Sequence, residues 1–148
     1  MTQHAFQALL ADFFQVSGCA DPQAQPGVGR CRCHGLDVAL YYDDHLDPSS
    51  IHGYVDLGTV APSRQREVFR SLLLRNPSFQ PEHSAVLGLD AESDRVVLVA
   101  RIAFEDELSG QRLAAILTHW VQKVFVLHRP KPALRFSAWK PRTLRWPS

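Results

Sequence analysis

The sequence predicts an α+β domain, an antiparallel sheet of about five strands packed with three helices in the order α-β-β-β-α-β-β-α. Three observations carry this reading. Apolar residues recur every three to four positions within residues 6–16, 68–73 and 113–124, the spacing of one helix face. Elsewhere the period falls to two, as Leu36, Val38, Leu40 and Tyr42 alternate with Asp37, Ala39, Tyr41 and Asp43. Hairpin-length links join most neighbouring strands, which makes their pairing antiparallel.

The first helix is expected over residues 4–17, with Phe6, Leu9, Leu10, Phe13 and Val16 on one side and Phe14 widening the stripe. Gly18 ends it, and residues 21–27, DPQAQPG, read as a loop. A first strand begins at Val28, with Cys31 and Cys33 on one face and Arg30 and Arg32 on the other. His34-Gly35 turns the chain into the second strand from Leu36. After a polar turn at residues 43–50, DDHLDPSS, the third strand occupies residues 51–58, weakened by Gly53.

Pro62 suits the first turn of a helix, where its missing N–H costs nothing, and this helix should run to Arg75. Asn76-Pro77 should stop it, because proline disfavours the helical region for the residue before it. A hairpin over residues 85–104 follows, turning at Ala91-Glu92-Ser93-Asp94. Its second strand is apolar on both faces, with Val96, Leu98, Ala100 and Ile102 against Val97 and Val99. Such a strand should be covered on both sides, by helices or by a second subunit. Ser109 is the expected N-cap of the last helix, which carries Leu113, Ile116, Leu117, Trp120, Val121 and Val124 to about Leu127.

A chain of 148 residues, 45% apolar and 21% charged, is ordinary for one soluble domain. Its apolar runs are far shorter than the roughly 20 residues of a membrane span. The start, MTQHAFQALLADFF, has no basic region and carries Asp12 in its apolar pattern, so a cytoplasmic protein is expected. The net charge of +1 hides an asymmetry. Residues 129–148 hold six Lys/Arg and no acid, leaving 10 basic and 15 acidic side chains in residues 1–128, a net of −5. The division is therefore an acidic domain, 1–128, and a basic proline-containing tail, 129–148.

Chemistry is sparse. Cys31-Arg32-Cys33-His34, with Cys19 upstream, is the one cluster that suggests a metal, but structural zinc sites space their cysteines by two to four residues. Small buried thiols are the competing reading, and no metal or cofactor is expected. His45 and His52 flank Asp47 near Asp43 and Asp44, either as a carboxylate–imidazole cluster or as a solvated turn. Glu105, Asp106 and Glu107 precede the last helix, where negative charge is favourable. No nucleophile elbow, phosphate-cradling glycine loop, dinucleotide fingerprint or HExxH is present, so an enzyme is not expected. In the tail, Arg135, Trp139, Arg142 and Trp146 are the candidate contact residues, for the domain itself, an acidic partner or nucleic acid. The acidic domain argues against nucleic acid.

Residues 4–128 resemble the class I type III secretion chaperones of Gram-negative bacteria, the Tir-chaperone (CesT-like) family. The resemblance lies in the N-terminal amphipathic helix, the alternation from Leu36 to Asp43, and Leu57-Gly58. It continues through Leu72-Leu73 ending in Asn76, Gly88-Leu89-Asp90, the strand from Val96 to Ile102, and Trp120-Val121 in the closing helix. It implies a homodimer that binds the N-terminal segment of effector proteins in extended form, a virulence function without ATP hydrolysis. By this analogy Leu10, Phe13, Phe14, Val38, Leu40 and Tyr42 would form effector pockets, and Phe69, Leu73, Val97 and Val99 would form the dimer surface. The basic tail and the Cys-containing first strand depart from the family pattern, and the tail would either engage another secretion component such as the export ATPase or broaden the choice of cargo. The alternative is a regulatory or nucleic-acid-associated module acting through that tail.

Overall fold

A computed structural model describes residues 2–19, 26–79, 84–104 and 107–125. Among them are three α-helices and five strands in the expected order, α1 (Gln3–Ser17), β1 (Val28–Cys33), β2 (Leu36–Tyr41), β3 (Ser50–Thr59), α2 (Gln65–Arg75), β4 (Ser84–Asp90), β5 (Arg95–Ala103) and α3 (Gly110–Phe125). The strands form one antiparallel sheet in the order β1-β2-β3-β5-β4.

Local chemistry sets the element ends. The Thr2 hydroxyl accepts the Ala5 N–H at 3.2 Å and caps α1. His34 and Gly35 both take positive φ, 50° and 80°, the backbone of a two-residue hairpin whose twist matches its strands. The helix expected from Pro62 begins as a 3-10 turn, Pro62–Arg64, and becomes α-helical at Gln65. At its far end Asn76-Pro77 does not break the helix outright. Asn76 keeps helical angles and leads into a second 3-10 turn, Asn76–Phe79. Two hydrogen bonds from its side chain, described below, hold it there against the proline's steric preference.

Register decides which side chains share a face. The pairs Cys31↔Val38↔Val55↔Leu98↔Leu87 and Gly29↔Leu40↔Gly53↔Ala100↔Ala85 lie on one side. Beneath α1 and α3 they join Phe6, Leu10, Phe13, Leu113, Leu117 and Trp120 in a single core. The helices cross closely at Gly110, where a Cβ would overlap the backbone of Asp12 and Phe13. Asp12 caps α3 from outside, its carboxylate accepting the Gly110 N–H at 2.6 Å, while the Ser109 hydroxyl accepts the Arg112 N–H at 3.2 Å. Thus the charge set in the apolar pattern of α1 locks one helix to the other.

The opposite face carries Asp37, Ala39, Tyr41, His52, Tyr54, Asp56, Val97, Val99 and Arg101. Ala39, Tyr54 and Val97 are buried there yet lie outside the helix-covered core.

Candidate functional site

The two edges of the sheet differ. In β4, pairing with β5 turns alternate backbone groups outward, and Leu87 is one of these positions. The Asn76 amide meets it there, its oxygen accepting the Leu87 N–H at 2.6 Å and its NH₂ donating to the Leu87 carbonyl at 3.2 Å. This side chain substitutes for one residue of a neighbouring strand. At the other edge, the Tyr42 N–H donates to the Gly27 carbonyl, which places Gly27, Gly29, Cys31 and Cys33 as the bonded partners of β2. Val28, Arg30 and Arg32 therefore turn their backbone N–H and C=O away from the sheet. The Arg32 carbonyl accepts the Cys19 thiol at 3.3 Å. A sheet edge of this kind is a template for another strand.

The six residues expected to form effector pockets are brought together, but mostly out of reach. Leu10, Phe13, Val38, Leu40 and Tyr42 lie between α1 and the sheet, none more than 4% exposed. The Phe6 and Tyr42 rings meet at 5.5 Å, as do Phe13 and Phe14. Only Phe14 reaches solvent, half-buried beside exposed Val16 on the outer flank of α1. Of the expected dimer residues, Leu73 is exposed next to exposed Leu74, Phe69 and Val99 are half-buried, and Val97 is buried. Val86 and Leu89 on β4 are also open to solvent. Arg135, Trp139, Arg142 and Trp146 lie outside the described residues.

Charge on the second face is arranged in pairs. Arg95 holds Asp56 in a fork, Nε 2.9 Å from Oδ1 and Nη2 2.8 Å from Oδ2, with Asp56 only 2% exposed. Arg32 meets buried Asp37 at 3.1 Å, but burial outweighs the guanidinium and pushes the Asp37 carboxyl upward. Asp47 is the hub at the rim. It accepts from Arg101 at 2.7 Å and from the Ser49 hydroxyl at 2.8 Å, and these bonds hold its carboxyl well below the usual range. His52 lies 3.6 Å from the same carboxylate, yet burial lowers its pKa. His45 stays in the solvated turn, 3.7 Å from Asp44. Burial and nearby Tyr41 push the Tyr54 phenol up to about 12, and the two rings pack edge to face at 5.4 Å. These groups fasten strand to strand and to the β2–β3 turn.

Among the described residues no three His, Cys, Asp or Glu side chains converge as metal ligands. No described helix is long and apolar enough to cross a membrane. Sequence reasoning did not find the roles of Asn76 and Asp12. An amide placed at the end of a helix before proline, and an acid inside an apolar stripe, were the available signals.

The sequence pattern of the Tir chaperone protein (CesT) family matches residues 8–127. Among solved structures, a chain of the heterodimeric complex ExoU-SpcU from the type III secretion system of Pseudomonas aeruginosa shares the fold. Its TM-score is 0.53 at 20% identity, covering 80% of this chain and 97% of that one. No curated protein matches the sequence.

Proposed function

This chain belongs to the Tir chaperone protein (CesT) family, and from that premise we propose that it binds the N-terminal region of one or more type III effectors. It keeps them soluble and competent for export, in the cytoplasm, without hydrolysing ATP. The observation that carries the mechanism is the contrast between the sheet edges. The edge of β4 is occupied at Leu87 by Asn76, whereas that of β1 turns the Val28 backbone N–H and C=O outward.

An effector segment adds to the sheet at β1, where main-chain hydrogen bonds provide affinity regardless of sequence. Side chains of the segment then reach the flank of α1 at Phe14 and Val16. Leu10, Phe13, Val38, Leu40 and Tyr42 act from beneath, fixing α1 against the sheet. Since ordering a long segment costs entropy, further apolar contact is needed along the molecule. Leu73, Leu74, Val86 and Leu89, with Phe69 and Val99, supply the surface through which a second copy of the chain docks.

Co-expression of the full chain with effectors, followed by light scattering, tests the reading. Two chaperone copies holding one effector are expected, the effector being insoluble alone. Val28→Pro removes one outward N–H at the first position of β1, where proline is tolerated. It should weaken capture at least tenfold while circular dichroism is unchanged. A chain that stays monomeric and captures no effector contradicts the proposal, and full capture by folded Val28→Pro contradicts the edge.

A further inference from the structure

We infer that Cys19 and Cys33 form a peroxide-responsive dithiol, a modification site that joins the end of α1 to β1 when oxidised. The geometry converges from three elements. Left-handed Gly18 turns the chain at the end of α1, and the Cys19 thiol that follows donates to the Arg32 carbonyl at 3.3 Å. That carbonyl belongs to the residue directly before Cys33, so one peptide unit separates the two side chains. The alternation of β1 puts Cys33 on the helix-covered face, where Thr118 of α3 hydrogen-bonds its thiol. Both cysteines pack against the core yet remain half-exposed, within reach of a small oxidant. Cys31, two residues earlier, is 4% exposed within the core. Cys31 and Cys33, two residues apart on one strand, point the same way along the sheet rather than toward each other.

The roles of the two thiols differ. Burial raises the Cys33 pKa, so this thiol keeps its proton in the resting protein. Cys19, at the open end of α1 with its hydrogen bond exposed to solvent, takes the first step. Its thiolate attacks hydrogen peroxide, the O–O bond breaks, hydroxide leaves, and Cys19 becomes a sulfenic acid. Cys33 then gives up its proton and attacks the sulfenic sulfur. The S–O bond breaks, the oxygen leaves as water, and the S–S bond forms. Two electrons pass from the thiols to the peroxide.

The test uses the full-length reduced protein treated with hydrogen peroxide in its native state. Two of the three free thiols should be lost, with a single cross-linked peptide joining Cys19 to Cys33 and full recovery in dithiothreitol. The thermal midpoint should rise on oxidation, because the cross-link restricts the unfolded chain. Cys31→Ser should leave the cross-link intact. Cys33→Ser should instead leave a Cys19 sulfenic acid that dimedone traps. A cross-link through Cys31, bonds only between separate molecules, or retention of all three thiols would overturn the assignment. Peptide mapping of the unmutated chain decides the matter even if a variant fails to fold.

Discussion

The two faces of the sheet are built on opposite principles. The face beneath α1 and α3 is closed mainly by apolar side chains, from Phe6 and Phe13 on the helices to Val38, Leu98 and Leu87 on the strands. The other is held by Arg95–Asp56, Arg32–Asp37 and Arg101–Asp47 around Ala39, Tyr54 and Val97. The first face specifies the fold. The second, with the sheet edges, makes one register of strands better than its neighbours, because a slip would strand a buried carboxylate without its guanidinium.

The contrast can be broken most severely on the closed face. Phe13→Ala should destabilise the chain by about 3–5 kcal/mol in urea unfolding, from lost burial and the cavity left behind. Gly110→Val should act in the same way by forcing α3 off the Asp12–Phe13 backbone. On the ionic face, Asp56→Ala should cost about 3 kcal/mol, because it leaves the Arg95 guanidinium largely buried without its acceptor. Replacing Arg95 and Asp56 together by apolar residues of similar size should restore most of that loss. An equal loss for the single and double variants would show that the pair is not what matters.

Smaller effects separate the edges. Asn76→Ala should cost about 1–3 kcal/mol by leaving the Leu87 N–H and C=O without their bonds. It should also raise self-association, read by light scattering against concentration, because it opens a second edge. Arg101→Ala should cost no more than about 1 kcal/mol at neutral pH, since the pair is half exposed. Its larger signature is in acid. Asp47 has a lowered folded pKa, so its contribution is present above the ordinary carboxylate pKa of 3.8 and is lost as pH falls through the folded value. His52 is lowered from 6.5 by burial, so it too destabilises the fold as pH falls. Asp47→Asn should therefore flatten the acid limb of the urea midpoint plotted against pH.

Much of this architecture was legible in the sequence. Strict alternation in residues 36–43, the 91–94 turn and the helical stripes led to the right elements because each burial pattern has one geometric solution. Ser109 was found as an N-cap for the same reason. The fate of Asn76 was not legible, since its bonds run to Leu87, eleven residues away on a strand, and depend on tertiary approach. The apolar residues of α1 and β2 posed a different difficulty. A stripe that contacts a partner and a stripe that forms the core have the same spacing, and only the packing of α1 shows that Leu10, Phe13, Val38, Leu40 and Tyr42 face inward.

Amide hydrogen exchange of the full-length chain, alone and with a captured effector, bears most directly on the proposal that β1 is the binding edge. Protection of the outward amides of Val28 and Arg32 on binding, with no change at Ala85 and Leu89 of β4, is the expected result. Protection confined to β4, or none at either edge in a stable complex, would contradict it.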